Sequence, residues 1–199
     1  MSTEPTRVLI AEDEALIRLD LKEMLEEEGY VVVAEVGDGQ QAVDRARELV
    51  PDLVILDIQM PVLDGLSAAE QIAGDRVAPV IVLTAFSQRE LVERARDAGA
   101  MAYLVKPFSK NDLVPAIEVA RARFAEMTAL DGEVRSLEDR LEARKVVEKA
   151  KGVLMTREGL SEADAFRFIQ RTAMNERTSM KALAQRILDD GVAVDSPSA

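Results

Sequence analysis

The sequence predicts an α/β chain: a five-stranded, doubly wound parallel sheet, then a long helix and a small three-helix bundle. Short runs rich in Val, Ile and Leu recur at 7–11, 31–36, 53–57, 80–84 and 101–105. They lack the polar alternation of a half-exposed strand, which suits parallel strands covered on both faces. Amphipathic segments separate these runs. After Pro115 no strand-like run appears before the tail, and apolar residues keep helical spacing instead.

Each helix of the first part has its own apolar stripe. Leu16, Leu19, Leu21 and Met24-Leu25 mark the first, with Gly29 as its C-terminal stop. Ala42, Val43, Ala46 and Leu49-Val50 mark the second; Leu66, Ala69 and Ile72-Ala73 the third; Leu91-Val92 and Ala95 the fourth. From Ile117 the apolar residues Ala120, Phe124, Met127, Leu130, Val134, Leu137 and Leu141 follow at steps of three or four. That stripe fits a final helix packed on its own domain and, equally, the seam of a coiled-coil dimer. Residues 143–199 hold three further helical pieces: one stopping at Gly159, one opened by the capping sequence Ser161-Glu162-Ala163-Asp164 and ending near Asn175, and one from Ser179 to before Gly191.

Composition removes several function classes. With no Cys and no His, the chain has no disulfide, thiolate metal site, histidine triad or phosphohistidine. Met1 to Arg7 is polar and no apolar run approaches a membrane span, so a cytoplasmic location is expected. The net charge of −12 divides unevenly: −10 over residues 1–125, −4 over 126–142, +5 over 143–188 and −3 over 189–199. A basic segment behind an acidic one suggests a polyanionic partner for the back half, although a solvated helical face carries similar charge.

Four motifs sit where predicted strands run out: Glu12-Asp13, Asp57, Thr84 and Lys106-Pro107. Ligands of open α/β sheets bind outside the carboxyl ends of the strands. One rim therefore receives three carboxylates, a hydroxyl and an ammonium. Clustered carboxylates repel and raise one another's pKa unless a cation sits among them, and hard oxygens suit Mg²⁺. The Asp57 carboxylate is the candidate nucleophile toward a phosphoryl donor, with Lys106 and Thr84 as donors to the phosphoryl oxygens. Separately, a strand-ending Asp is usually a turn cap and Lys-Pro a loop; together at consecutive strand ends they define a site.

On these residues, 7–125 resembles the receiver domain of two-component response regulators, a flavodoxin-like fold. Glu12-Asp13 matches the family's acidic pair, with Glu in place of the commoner first Asp; Asp57 matches its phosphoacceptor, Thr84 its hydroxyl residue, Lys106-Pro107 its Lys-Pro and Tyr103 its switch aromatic. Met60-Pro61 and Asp64-Gly65 match the loop after the phosphorylation site. The resemblance implies a partner histidine kinase, Mg²⁺ held by Glu12, Asp13, Asp57 and the backbone carbonyl of Gln59, and a cis Lys106–Pro107 peptide. It also implies that Thr84, Tyr103 and Lys106 respond to the phosphate.

In the back half, Arg144, Lys145, Lys149 and Lys151 lie on the first helical piece and Arg167 and Arg171 on the second, at spacings that suit phosphate contacts. Phe166 and Phe168 are the only aromatics there, and one or both suit the core. The stretches Glu148–Met155, Gly159-Leu160-Ser161, Asp164-Ala165-Phe166 and Arg171–Met174 resemble the ANTAR domain, a three-helix RNA-binding module. That resemblance implies binding of paired RNA hairpins and transcription antitermination. The expected organisation is a disordered 1–6, a receiver at 7–125, a helical linker or coiled coil at 126–142, an ANTAR domain at 143–188 and a flexible tail at 189–199. A homodimer induced by phosphorylation or by RNA is expected, with no membrane partner.

Two other readings compete. A DNA-binding output domain needs polar base-reading residues on its last helix, where the sequence offers only Lys181, Gln185 and Arg186. A phospho-aspartyl phosphatase generally needs a second acid two residues after the nucleophile, and that position is Gln59. The chain is therefore expected to be a phosphoacceptor with self-catalysed transfer and hydrolysis, not an enzyme acting on other substrates.

Overall fold

The computed structural model describes residues 4–85 and 89–190. Five strands, β1 (Arg7–Ala11), β2 (Val31–Val36), β3 (Leu53–Asp57), β4 (Val80–Thr84) and β5 (Ala102–Val105), form one parallel sheet in the order β2-β1-β3-β4-β5. Seven helices accompany them among the described residues: α1 (Ala15–Glu27), α2 (Gly39–Leu49), α3 (Gly65–Gly74), α4 (Arg89–Asp97), α5 (Lys110–Glu158), α6 (Glu162–Asn175) and α7 (Met180–Asp190). The chain divides into two compact units, residues 1–128 and 129–199.

Strand periodicity builds the first unit's two cores. Successive side chains point to opposite faces, so Leu9, Val54, Leu56 and Val82 pack with Ala42, Val43 and Ala46 of α2 and Leu66, Ala69 and Ile72 of α3. Their neighbours Ile10, Ile55, Ile81 and Leu83 pack with Leu21 and Leu25 of α1 and Leu113 and Ile117 of α5. β3 and β4 are buried throughout, as continuous apolar runs require. β2 and β5 are only partly buried because each is an edge strand. Helix entry is encoded locally: Asp38 caps α2 by accepting from the Gln41 N–H at 2.8 Å, and Asp64 caps α3 from Leu66 and Ser67 at 3.0 and 2.9 Å.

The second unit contains the C-terminal part of α5 with α6 and α7. Val147, Ala150 and Leu154 of α5 meet Ala165, Ile169 and Ala173 of α6 and Leu183, Ala184 and Ile187 of α7. Four of these nine core residues are alanines, which lets the helix axes approach closely. Ser161 caps α6 and accepts from the Asp164 N–H at 3.2 Å.

Several expected boundaries move. The long helix and the first piece of the bundle are one helix of 49 residues, because nothing between 126 and 158 breaks it. It also starts before Pro115: Asp112 accepts from the Ser109 N–H and hydroxyl at 2.9 and 2.7 Å, capping the first turn. Pro115, five residues into the helix, removes one N–H without stopping it. β5 opens at Ala102 rather than residue 101. The expectation of disorder through residue 6 reaches too far, since the Thr6 carbonyl accepts from the Val31 N–H at 2.9 Å. Likewise α7 runs through Asp190, past the expected start of the tail at 189. Residues 1–3 and 191–199 lie outside the described residues.

Candidate functional site

The parallel register aligns the strand ends into one rim. Ala11 pairs with Leu56, Asp57 with Leu83 and Thr84 with Val105. Glu12 follows β1, Asp57 ends β3, Thr84 ends β4 and Lys106 follows β5, so main-chain pairing alone brings the four motifs together. Asp57, Thr84 and Lys106 line a cleft of about 220 Å³ with Asp13, Glu14, Gln59 and Leu91, and the buried Glu12 adjoins it through its ion pair with Lys106.

Lys106 is the hub of this cleft. Its Nζ lies 2.7 Å from Asp57 Oδ1 and 2.6 Å from Glu12 Oε2. Glu12 is fully buried, Asp57 is 6% exposed and Thr84 is 4% exposed, so these charges interact with little solvent screening. Burial pushes the Glu12 carboxyl above its usual range and the Asp57 charge adds to this, while the hydrogen bond from Lys106 opposes it. Burial pulls Lys106 down, but its hydrogen bonds to Asp57 and Glu12 outweigh that and leave the ammonium held above its ordinary value. The second Asp57 oxygen, Oδ2, accepts from the Gln59 N–H at 3.0 Å, which fixes the carboxylate's orientation.

A metal fits here by donor chemistry. Glu12, Asp13 and Asp57 each offer an oxygen, and the three lie within 4.8 Å of one another. Asp13 is exposed where the other two are buried, so the group is open to solvent on one side. An all-oxygen, partly open set suits Mg²⁺, which keeps several waters.

The loop after Asp57 is held by a close backbone approach. A Cβ on Gly65 would stand 1.9 Å from the Asp57 carbonyl oxygen, and the Gly65 N–H donates to Ile58 at 2.9 Å. The Lys106–Pro107 peptide is cis. Arg18, which sequence patterning did not single out, donates from Nη1 to the Glu12 carbonyl and so ties α1 to the acidic loop. Its role is invisible in the sequence because it acts on a backbone atom six residues earlier. Tyr103 lies apart from the cleft: it is 45% exposed and lines a separate groove of about 460 Å³ with Val92, Ala95, Met101 and Val119.

In the second unit the six cations expected to meet phosphate are divided between two helices. Arg144, Lys145 and Lys149 are exposed on α5, and Arg167 and Arg171 are exposed on α6. Both sets point away from the shared core, so they occupy outward faces of two different helices. Lys151 is a correction. It is buried at 6% exposure, with Nζ 2.9 Å from Glu148 and 2.8 Å from Glu162, so it bridges α5 to α6 instead of facing a ligand. Arg167 is 2.7 Å from Asp164. On α7 all three candidate base-reading residues are engaged: Lys181 with Glu142 at 2.5 Å, Gln185 with Asp189 at 2.8 Å and Arg186 with Glu176 at 2.8 Å. Phe168 packs against the core, and Phe166 is 41% exposed. No helix among the described residues is long and apolar enough to cross a membrane.

Comparison with known proteins agrees with both halves. Residues 8–118 match the response regulator receiver domain and residues 135–188 match the ANTAR domain. The chain is 65% identical over 185 residues to transcriptional regulatory protein PdtaR of Mycobacterium tuberculosis, covering 93% of this chain and 90% of that protein. Chemotaxis protein CheY of Bacillus subtilis is 41% identical over 112 residues, 56% of this chain and 93% of its own length. Among solved structures, the receiver domain of sensor histidine kinase PA1611 from Pseudomonas aeruginosa, with a magnesium ion coordinated in its active site cleft, is 34% identical with a TM-score of 0.54, covering 60% of this chain and 99% of that one. The receiver domain of the response regulator NarL from M. tuberculosis has a TM-score of 0.58 at 26% identity, covering 60% of this chain and 98% of that one. The chain belongs to the response regulators, as a receiver domain followed by an ANTAR domain.

Proposed function

We propose that this chain is phosphorylated on Asp57 by a partner histidine kinase and in that state binds RNA hairpins through the second unit, preventing a transcription terminator from forming. The observation that carries the phosphoryl half is the Lys106 ammonium bridging Asp57 and Glu12 at aligned strand ends. An Asp57 oxygen attacks the phosphorus of the phosphorylated kinase histidine. An O–P bond forms, the P–N bond breaks, and the electron pair leaves with the imidazole nitrogen. Lys106 moves from neutralising two carboxylates to donating to a phosphoryl oxygen, and the Thr84 hydroxyl donates to another. Glu12, Asp13 and Asp57 would hold Mg²⁺, with the Gln59 carbonyl as the further ligand that the family resemblance implies; the ion would screen the charge of the incoming phosphoryl group. Phosphorylation favours the state in which Thr84 closes on the phosphate and Tyr103 moves inward; the shift is limited by the phosphate's differential interaction with the two states.

The RNA half is supported by the ANTAR match and by the exposed cations of α5 and α6. A DNA-reading α7 is disfavoured because Lys181, Gln185 and Arg186 are committed to Glu142, Asp189 and Glu176. Wild type and Asp57→Asn, each treated with acetyl phosphate and Mg²⁺, test the assignment by intact mass and by RNA recovery. Wild type is expected to gain one phosphoryl mass and recover more RNA, and the variant to do neither. A phosphoryl gain in Asp57→Asn overturns the site.

A further inference from the structure

The loop between β1 and α1 presents its two carboxylates in opposite ways. Glu12 is fully buried and is held at its side chain, with Oε2 2.6 Å from Lys106 Nζ. Asp13 is exposed, and among the described residues no hydrogen bond or ion pair holds its carboxylate. Yet Asp13 brings one of the three oxygens that lie within 4.8 Å of one another. Its position must therefore come through its backbone. The peptide joining Glu12 to Asp13 is planar, so fixing the Glu12 carbonyl fixes the direction in which the chain enters Asp13.

No local device fixes that peptide. α1 begins without a side-chain cap at Glu14, and the Glu14 N–H reaches Glu12 Oε1 only at 3.4 Å. The Glu12 N–H donates to the Val36 carbonyl at 3.1 Å, which ties one end of the residue to β2. The other end, its carbonyl, is held by Arg18 Nη1 from the first turn of α1. The same Nη1 lies against the turn between β2 and α2, since a Cβ on Gly37 would stand 3.8 Å from it. Arg18 is thus a half-buried strut among α1, the acidic loop and the end of β2.

Charge and position make opposite demands of this residue. A guanidinium close to a divalent-cation site repels the ion, so electrostatics alone would have Arg18 weaken Mg²⁺ binding. A donor that orients a ligand-bearing loop strengthens it, and loss of such a supporting contact typically costs about ten- to a hundredfold in metal affinity.

We propose that Arg18 is a positioning residue of the phosphorylation site: by holding the Glu12 carbonyl it aims the Asp13 carboxylate into the cleft, and so sets Mg²⁺ affinity without touching the metal. This rests on the phosphorylation reading above and adds to it the residue that supports the metal-binding loop.

The test compares full-length wild type, Arg18→Met, Arg18→Lys and Lys22→Met. Arg18→Met keeps an apolar stem and loses the donors, whereas Arg18→Lys keeps a charged donor. Lys22, one turn further along α1, is paired with Glu35 of β2 at 2.6 Å. Lys22→Met therefore removes both a cation and an anchor of the same helix without touching the loop. Amide NMR titrations give the Mg²⁺ dissociation constant, and intact mass after acetyl phosphate at a series of Mg²⁺ concentrations gives the metal requirement of phosphorylation. Arg18→Met is expected to bind Mg²⁺ about tenfold more weakly, with Arg18→Lys recovering most of the loss and Lys22→Met matching wild type. Phosphorylation of Arg18→Met is expected to need about tenfold more Mg²⁺ and to reach the wild-type extent at saturation. If Arg18→Met does not fold, Arg18→Gln, whose shorter side chain cannot span the same gap, takes its place with the same expected loss. Unchanged or tighter Mg²⁺ binding in that variant, or an equal loss in Lys22→Met, overturns the positioning role and leaves the phosphorylation reading standing. Wild type that takes up neither Mg²⁺ nor a phosphoryl group overturns that reading and the positioning role with it.

Discussion

At the scale of single residues, the arrangement most open to test is the sharing of one ammonium by two buried carboxylates. Lys106 neutralises Glu12 and Asp57 together, so its loss leaves two buried carboxylates facing one another. Removing one partner of a buried ion pair costs roughly 3–5 kcal/mol. Lys106→Met is therefore expected to lower the urea midpoint strongly in EDTA and to recover part of the loss in millimolar Mg²⁺, because a bound cation replaces the missing charge. Wild type should gain less from Mg²⁺ than the variant does. Parallel urea curves of both proteins, in EDTA and in Mg²⁺, decide it; an equal gain in the two proteins removes the coupling between Lys106 and the metal site. Gly65 shows a different kind of constraint. Its importance is steric, since any side chain there meets the Asp57 carbonyl.

At the scale of elements, α5 contributes to both units in different ways. Leu113, Ile117 and Ala120 are fully buried in the first unit, and Val147, Ala150 and Leu154 are buried in the second. Between them Leu130, Val134, Leu137 and Leu141 are 63%, 53%, 58% and 58% exposed. The helical stripe read from the sequence thus divides: its first residues pack on the sheet, and its later ones are uncovered, as a seam awaiting a second copy would be. The expected behaviour is a resting monomer that dimerises on phosphorylation or RNA binding, followed by sedimentation velocity. Leu137→Lys is expected to abolish the dimer while leaving the thermal melt unchanged, and a constitutive dimer or a monomer under all conditions removes the gating role of the stripe. α6 supplies a packing test. Ile169 is fully buried in the core shared by α5, α6 and α7, so Ile169→Ala should cost about 2–5 kcal/mol. In a bundle of this size that loss should appear as separate melting of the second unit by circular dichroism.

At the scale of the whole molecule, charge is distributed to suit different partners. The strongly acidic front half is of little use against nucleic acid, whereas residues 143–188 carry a net +5. Five of the ten cations in that segment, Lys151, Arg167, Lys181, Arg186 and, through Glu142, Lys145, already have carboxylate neighbours. The number of phosphate contacts should therefore be smaller than the cation count suggests. Binding is expected to weaken with salt, and Lys149→Ala and Arg171→Ala should each reduce the log–log slope by about 0.7–0.9 per contact removed. Filter binding between 50 and 300 mM salt measures this; a flat wild-type slope, or slopes unchanged in both variants, excludes this surface.

Much of the first unit was legible because its signals are local or periodic. Continuous apolar runs and a polar residue at or just after the end of each inner strand act through nearest neighbours in the chain, so the elements and the strand-end cluster follow from the sequence, whereas the Asp38 and Asp64 caps were seen only in the structure. The convergence of Glu12, Asp57, Thr84 and Lys106 needed only the rule that parallel strands end at one rim. What depended on contacts across the fold was not legible. The continuity of α5 through residue 142 is set by the absence of any breaker, which periodic patterning does not register. Arg18 acts on the Glu12 backbone, and Lys151 is drawn between Glu148 and Glu162, so residue type alone marked one as ordinary and the other as a phosphate contact. Local propensity and period determined the elements and the strand-end chemistry; only tertiary packing decided which charges are neutralised and which remain for a partner, because neutralisation depends on distance in space, not in sequence.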